Sequence, residues 1–351
     1  MKKFLLLIIT ALIIVSCNKK KEVAEGTKSS EVIELLGAGA TFPYPLYSKL
    51  FNEYNKLKGV RVNYQAIGSG GGIRQVIGKT VDFGGTDAFM NENEMSKVEG
   101  GVAHIPTCLG AVVITYNLEG SPELKFTGDV VEDIFLGKIT KWNDKRIQEL
   151  NPDVKLPNLS MSVVYRSDGS GTSFIFSDYM SKISTEWKET IGRGKSLKWV
   201  TGIGGKGNQG VAGLIQQIPG SIGYAELIYA VSNEMPTALI QNKSGNFIKP
   251  SADGVSLAAN MELPDDTRLS LTNTAADLGY PISSFTWLVL YKNMSFEDNK
   301  AKAILDLVSW MIHDGGKYAA ELHYAPLPDA AIKKADVILS SLKNNGKVIY
   351  K

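Results

Sequence analysis

Apolar and polar residues alternate along this chain with two periods, one typical of strands and one typical of helices. Short apolar runs rich in β-branched side chains predict strands at 60–67, 110–116, 161–165 and 285–291. Between such runs, apolar residues recur every three or four positions, which predicts helices at 43–58 and 300–313. Strands that alternate with helices along a whole chain are typical of an α/β fold with mainly parallel sheets.

Each predicted helix has one apolar face that should pack inward. For the helix at 43–58 the inward residues are expected to be Leu46, Leu50, Phe51, Tyr54 and Leu57. For the helix at 300–313 they are expected to be Ala303, Ile304, Leu307, Val308 and Met311. The pair Gly315 and Gly316 is predicted to end this second helix.

The first seventeen residues have the pattern of an export signal. A charged start is followed by an apolar run from Phe4 to Val15, which is shorter than the about 20 residues that a membrane-spanning helix needs. The tetrad Ile14-Val15-Ser16-Cys17 resembles a bacterial lipobox, in which the cysteine thiol is alkylated with diacylglycerol. The sequence therefore predicts a lipoprotein with fatty acids such as palmitate on Cys17, and an ordinary signal peptide that happens to contain a cysteine is the alternative.

The polar stretch from Asn18 to Ser30 has almost no large apolar side chains, so it is predicted to be a tether. We therefore assign 1–16 to the signal peptide and 17–30 to a lipidated tether. The chain has 38 basic and 36 acidic residues, a net charge of +2, and loss of Lys2 and Lys3 with the signal makes the mature protein formally neutral. Such a balance excludes the broad basic surface of nucleic-acid-binding proteins.

Cysteine and histidine positions favour neither a disulfide nor a metal centre. If Cys17 carries lipid, Cys108 is the only remaining thiol, and we expect it to be a small buried hydrophobe on a strand. His104, His313 and His323 are far apart and have no Cys or carboxylate at metal-ligand spacing. No metal and no cofactor is therefore expected.

Three turns rich in Gly, Ser and Thr each follow a strand and open a helix, at 37–43, 67–72 and 166–173. Each would aim unpaired backbone N–H groups and the positive end of a helix dipole at one point. In the first turn, Pro43 suits the first helical turn and Thr41 is the expected cap. Three such turns indicate an anion site, although each one alone is also typical of a capped helix start.

Stricter phosphate and nucleophile motifs are absent. Gly78-Lys79-Thr80 resembles the end of a P-loop, but Ile73 occupies the position of the required first glycine. In GAGATF, Phe42 occupies the position of the third glycine of a dinucleotide fingerprint. Neither Ser69 nor Ser170 has the Gly-x-Ser-x-Gly frame of a nucleophile elbow. Hydrolase chemistry is therefore the weaker hypothesis.

Eight sequence blocks follow one another between Leu36 and about Asp329: GAGATFPYPLYSKL, VNYQAIGSGGGIRQVI, TVDFGGTDAFM, IFLGKITKWND, VYRSDGSGTSFIFSDY, GIGGKGNQGVAG, IPGSIGYAE and YAPLPDA. In content and order they resemble the PstS family, the phosphate-binding proteins of high-affinity phosphate ABC transporters. The resemblance implies a two-lobed periplasmic-binding-protein fold of type II-like α/β architecture, with a hinge and the anion in the cleft. By analogy, lobe 1 is placed at 31–107 plus 283–351 and lobe 2 at 108–282.

The resemblance also implies a set of phosphate-binding residues: Ala40, Thr41, Phe42, Ser69, Asp87, Arg166, Ser170, Gly171 and Thr172. Backbone N–H groups and hydroxyls of the three turns would donate to the anion. Arg166 would supply the one formal positive charge, and Asp168 would hold it in place. Gly70 stands where family members often have a second serine, so only its backbone N–H could serve.

Asp87 would accept a hydrogen bond from the protonated oxygen of phosphate. Phosphate near neutral pH carries at least one proton and sulfate carries none, so a buried carboxylate favours phosphate. The clash with sulfate would cost several kcal/mol, or roughly 10³ in affinity. Without the resemblance, a helix cap after VDFGGT would be the preferred interpretation of Asp87.

The resulting hypothesis is an exported solute-binding protein that captures inorganic phosphate and delivers it to an ABC permease with a separate ATPase, without covalent catalysis. It would be a monomeric receptor, anchored to a bacterial membrane by lipid on Cys17 and facing the periplasm or the cell exterior. Arsenate also carries a proton, so the same residues would accept it. The alternatives are an exported phosphohydrolase, and a binding module for another tetrahedral oxyanion or for a sensor kinase.

Overall fold

The computed structural model describes residues 32–349, so the predicted signal peptide, Cys17 and the tether lie outside the described residues. The strands are β1 (Glu34–Gly39), β2 (Arg61–Ala66), β3 (Phe83–Thr86), β4 (Val102–Tyr116), β5 (Lys125–Phe126), β6 (Ser162–Arg166), β7 (Ile203–Gly205), β8 (Ser221–Glu226), β9 (Leu239–Gln241), β10 (Phe247–Ile248), β11 (Ser283–Tyr291), β12 (Asn293–Met294), β13 (Lys343–Asn344) and β14 (Lys347–Val348). The helices are α1 (Tyr44–Lys58), α2 (Ser69–Ile77), α3 (Glu92–Ser96), α4 (Gly128–Phe135), α5 (Lys145–Leu150), α6 (Gly171–Ile183), α7 (Thr185–Thr190), α8 (Gly207–Gln217), α9 (Leu227–Val231), α10 (Ala252–Ala258), α11 (Asp298–Ile312) and α12 (Asp329–Ser341). The predicted α/β class is confirmed.

The two predicted helices are α1 and α11, and their apolar faces pack inward with one exception. All five expected residues of α11 are buried. In α1, Leu57 is 57% exposed, because the whole last turn, from Lys56 to Gly59, is exposed. Helix α11 ends at Ile312, and the two glycines that were expected to stop it lie in a following 3₁₀ turn at Asp314–Tyr318.

The four predicted strands are β2, β4, β6 and β11, and β4 is longer than the pattern predicts. It begins at Val102, and every one of its residues is buried. Its pairing with β11 shifts where Trp287 is opposite Pro106 and Thr286 is opposite Cys108. Because proline cannot donate a ladder hydrogen bond, such an irregularity is where a sheet accommodates it.

Eight strands form one sheet in the order β2-β1-β3-β11-β4-β8-β6-β7. The outer strands pair in parallel, whereas β3–β11, β11–β4 and β4–β8 are antiparallel. The expectation of mainly parallel sheets is therefore wrong at the centre of the sheet. The physical reason is that β4 runs through both half-sheets and is antiparallel to its neighbours β11 and β8, so these strands are not joined by the helical crossovers that parallel strands need.

Strand β4 joins two half-sheets. Residues 102–111 pair with β11, which continues into β3, β1 and β2, and we call these four strands the first half-sheet. Residues 112–116 pair with β8, which continues into β6 and β7, and we call these three strands the second half-sheet. Strands β1 to β3 are parallel to one another in the first half-sheet, and strands β6 to β8 are parallel to one another in the second, with β4 shared between the two.

Cys108 lies on β4 and is buried, as predicted. His104, on the same strand, is also buried, and its Nε2 accepts a hydrogen bond from the Met90 N–H at 3.0 Å. Between residues 32 and 349, no group of three or more His, Cys, Asp and Glu side chains is arranged to hold a metal ion. No helix in this range is long and apolar enough to cross a membrane.

Candidate functional site

Three strand-to-helix turns meet at the ends of strands from both half-sheets. Residues 40–43 lead from β1 into α1, residues 67–68 lead from β2 into α2, and residues 167–170 lead from β6 into α6. The second and third turns touch directly, because the Gly70 N–H donates to the Gly169 carbonyl at 2.8 Å. The structure therefore brings together the turns that the sequence predicts as one anion site.

A group of buried backbone N–H groups at these turns has no acceptor within the described range. They belong to Thr41, Phe42, Ser69, Gly171 and Thr172. A buried donor without a partner costs free energy, and almost all buried N–H groups in folded proteins are paired. Donors that cluster at the first turns of α2 and α6 therefore favour an anion as their partner.

Three other predicted backbone donors are already engaged. The Ala40 N–H donates to the Gly85 carbonyl at 2.9 Å, and the Ser170 N–H donates to the Lys195 carbonyl at 2.8 Å. The Gly70 N–H is bonded to Gly169, as described above. Ser170 can still offer its hydroxyl proton, because its Oγ accepts from the Ser173 N–H at 2.9 Å and so caps α6.

Two glycines let the turns approach one another. A Cβ on Gly171 would lie 2.4 Å from Oδ2 of Asp87 and 2.4 Å from Oγ of Ser69. A Cβ on Gly70 would lie 3.2 Å from Cα of Gly169. Because glycine has no side chain at these two positions, the turns from the two half-sheets can approach each other this closely.

Arg166 lies at the end of β6 with its side chain only 1% exposed. Its Nε and Nη2 donate to the two carboxylate oxygens of Asp168 at 2.8 and 2.6 Å, and its Nη1 donates to Thr172 Oγ1 at 3.1 Å. Since a guanidinium has five N–H donors, one N–H on each Nη remains for a ligand. Asp168 therefore lies where it can hold Arg166, as the resemblance implies.

The ionised state of Asp168 is favoured by its partners. Burial alone would raise the pKa of this carboxyl, but the bonds from Arg166 and from the Gly207 N–H, at 3.0 Å, outweigh burial and lower the pKa. Arg166 and Asp168 therefore form a charged pair that fixes the guanidinium.

Asp87 follows β3 and is 2% exposed. Its Oδ1 accepts from the Thr286 hydroxyl at 2.9 Å, and its Oδ2 accepts from the Ser69 hydroxyl at 3.2 Å. Burial raises the pKa of Asp87 to about 7, and the bonds from Thr286 and Ser69 and the charge of Arg166 only partly offset this rise. The simpler interpretation of Asp87 as a helix cap is wrong, because Asn91 caps α3.

Sequence reasoning missed Asn208, the second residue of α8. Asn208 is fully buried, and its Nδ2 donates to Thr41 Oγ1 at 3.0 Å and to Thr172 Oγ1 at 3.1 Å. It lies in the block GIGGKGNQGVAG, whose glycines before a helix were a signal for a fourth turn of the same kind. Thr41, expected to cap α1, is instead bonded to Asn208, and Pro43 holds the cap position without a side-chain bond.

The arrangement is suited to binding rather than to nucleophilic attack. Within residues 32–349, Ser69 and Ser170 have no histidine partner, since their hydroxyls bond to Asp87 and to the Ser173 N–H. Gly171 lies beside the Asp87 carboxylate, whose pKa is about 7, and Thr172 lies beside the positive charge of Arg166. Such a site can hold a compact oxyanion that carries a proton.

Comparisons with known proteins agree with this geometry. Residues 24–314 match a family model described as a PBP superfamily domain. The chain is 43% identical over 323 residues to the phosphate-binding protein PstS of Xylella fastidiosa strain 9a5c, covering 91% of this chain and 87% of the relative. It is 44% identical over 305 residues to the PstS of Pasteurella multocida, covering 86% and 88%. A high-affinity periplasmic phosphate-binding protein, PfluDING, solved with bound phosphate, has the same fold, with a TM-score of 0.71 at 21% identity over 90% of this chain and 96% of that one.

Proposed function

We propose that this chain, which belongs to the PstS family of phosphate-binding proteins, captures inorganic phosphate outside the cytoplasmic membrane and delivers it to an ABC transporter. The observation that carries the proposal is the cluster of unpaired, buried N–H donors around Arg166 and Asp87. The donors match the unprotonated oxygens of phosphate, and Asp87 matches its protonated oxygen. The protein would bind and release phosphate without covalent chemistry and without a cofactor.

Phosphate binding would be coupled to closure of two lobes. We propose lobe 1 at 31–107 plus 283–351 and lobe 2 at 108–282, with β4 and β11 as the connecting strands. The proposed ligands come from both lobes, and the Lys195 ammonium lies 2.8 Å from Oε1 of Glu94 across the boundary. An anion that bonds to both lobes stabilises the closed arrangement over the open one.

The proposal also includes export and a lipid anchor. The predicted signal at 1–16 would be removed, and Cys17 would carry the diacylglycerol and fatty acids such as palmitate. The tether at 17–30 would let a monomeric receptor meet the permease from the periplasm or the cell exterior. Arsenate, which shares the shape and the proton of phosphate, would bind at the same residues.

Transport is tested by phosphate uptake. Cells that lack this protein are expected to lose high-affinity import of radiolabelled phosphate and to regain it when the native chain is supplied. Supply of a chain with the Arg166→Ala substitution serves as the matched control, since it should be exported but should not restore uptake. Normal uptake without the protein would contradict a role in import.

The lipid anchor gives a separate expected result. Cells grown with labelled palmitate should label the native chain and the Cys108→Ser variant, but not the Cys17→Ser variant, because Cys108 is buried on β4 and Cys17 is the predicted lipid site. Gel fluorography of the purified chains measures the incorporation. Equal labelling of the Cys17→Ser variant would show that the lipobox interpretation is wrong.

The pKa of Asp87 predicts a pH-dependent competition by sulfate. Below its pKa of about 7, Asp87 carries a proton that it can donate to a sulfate oxygen, and above it the ionised carboxylate repels sulfate. One linked proton predicts that sulfate affinity falls about tenfold between pH 6 and pH 8, while phosphate affinity changes much less. Competition titrations at the two pH values measure the ratio, and a sulfate affinity that does not change with pH would contradict the assigned role.

A further inference from the structure

We infer that Asn208 directs the hydroxyl groups of Thr41 and Thr172 so that both can only donate to the bound anion. This inference rests on the proposed function and extends it from the residues that touch phosphate to one that orients them. Asn208 is therefore a positioning residue for anion recognition.

The Thr41 hydroxyl has both of its lone pairs occupied. Its Oγ1 accepts from the backbone N–H of Asn208 at 3.2 Å and from the side-chain Nδ2 of Asn208 at 3.0 Å. A hydroxyl has two lone pairs and one proton. With both lone pairs bonded to Asn208, the Thr41 hydroxyl is left with its proton alone, which must be donated.

The Thr172 hydroxyl is in the same state. Its Oγ1 accepts from Nη1 of Arg166 at 3.1 Å and from Nδ2 of Asn208 at 3.1 Å. Asn208 thereby donates the two hydrogens of its side-chain amide to two hydroxyls, that of Thr41 before α1 and that of Thr172 in α6. Thr172 is fully buried and Thr41 is 2% exposed, so water does not compete for these protons.

The orientation of the Asn208 amide is fixed by a fourth contact. Its Oδ1 accepts from the backbone N–H of Glu226 at 3.0 Å. In the opposite orientation, the amide nitrogen would face the Glu226 N–H, donor against donor. The amide oxygen would then face the hydroxyls of Thr41 and Thr172. Asn208 therefore presents a donor to the threonines, and all of its side-chain hydrogen-bonding groups are satisfied.

This arrangement leaves Asp87 as the acceptor for a proton of the anion. Two threonine hydroxyls that cannot accept must face unprotonated oxygens, so the protonated oxygen of phosphate is directed to Asp87. In the proposed division of lobes, Asn208 and Thr41 lie on opposite lobes, so the Thr41 hydroxyl is oriented only when the lobes close. Asn208 thus couples closure to selection of the anion.

A double-mutant cycle tests the inference in the full chain, held in detergent, by calorimetric titration with inorganic phosphate. Asn208→Ala is expected to weaken binding about tenfold in the native background. In a chain that already carries Thr41→Val and Thr172→Val, the same change should alter affinity less than about threefold, because no hydroxyl remains to be directed. An equal loss in both backgrounds would overturn the inference, since it would show that Asn208 acts through packing.

Two further variants keep the result interpretable. Asn208→Asp has nearly the same shape but accepts from the threonines, so it should weaken phosphate binding more than Asn208→Ala does, and weaker or equal loss would also overturn the inference. Asn242→Ala removes another buried asparagine, whose Nδ2 bonds to the carbonyls of Ala276, Asp277 and Gly279, and should leave affinity unchanged. If the native chain itself binds no phosphate, the proposed function fails. If it binds phosphate and the cycle is additive, only the role of Asn208 fails.

Discussion

Sulfate should bind the Asp87→Asn variant about tenfold more tightly than it binds the native protein at pH 8, because with a pKa of about 7 only about a tenth of the native molecules carry the Asp87 proton at that pH. An asparagine amide donates to a sulfate oxygen, whereas the buried carboxylate of Asp87 presents only lone pairs and a negative charge. The fold should be retained, because the side-chain oxygen of asparagine can still accept the bond that Thr286 donates to Asp87 at 2.9 Å. Calorimetric titration with sulfate and with phosphate measures the change in selectivity.

Asp178→Asn is the matched control for this prediction. Asp178 is also 2% exposed and accepts bonds from Arg193, at 2.8 Å, and from the hydroxyls of Ser270 and Thr272. Within the described residues, none of the hydrogen bonds of the Asp178 carboxylate goes to the three turns. The substitution should therefore change the stability of the protein and not its preference for phosphate over sulfate. Equal sulfate binding by the native, Asp87→Asn and Asp178→Asn proteins would show that Asp87 does not select phosphate over sulfate.

The Arg166→Ala variant is expected to bind phosphate at least about a hundredfold more weakly than the native protein. The substitution removes two charge-assisted N–H donors, each contributing about 1.5 to 3 kcal/mol. In the native protein, the Asp168 carboxylate accepts hydrogen bonds from Nε and Nη2 of Arg166. The substitution leaves this carboxylate beside the anion with no positive charge to offset it. Titration with phosphate at constant pH measures the loss.

Two companion variants separate the causes. Arg166→Ala combined with Asp168→Ala should recover part of the lost affinity, because the repulsive carboxylate is gone. Arg146→Ala removes an arginine whose side chain is 44% exposed and paired with Asp144, and it should bind phosphate normally. Near-native affinity in the Arg166→Ala variant would show that Arg166 lies outside the site.

Local sequence signals locate the candidate turns where a turn both ends a strand and opens a helix. The turns that contain Thr41, Ser69 and Thr172 could be found because glycine and hydroxyl residues in these contexts leave amides unpaired. What the pattern does not reveal is which amides the rest of the fold engages. The N–H groups of Ala40 and Ser170 donate to the carbonyls of Gly85 and Lys195, and these hydrogen bonds depend on long-range packing.

Other differences also come from long-range structure. The centre of the sheet is antiparallel because β4 runs through both half-sheets, and nothing in its apolar run distinguishes a shared strand from an ordinary one. Asn208 is distant in sequence from Thr41, and only the folded chain brings its amide between two hydroxyls. Leu57 fits the inward face by spacing, but the end of α1 is exposed.

The central claim is that this site recognises inorganic phosphate by donating to its unprotonated oxygens and accepting its proton at Asp87. Its most direct test is calorimetric titration of the full chain in detergent, at pH 8, with phosphate, sulfate and a phosphomonoester. We predict one bound phosphate per chain, no displacement by about a hundredfold excess of sulfate, and no binding of the ester, because the residues that would surround the anion are buried. Sulfate binding as tight as that of phosphate, or no phosphate binding, would contradict the account.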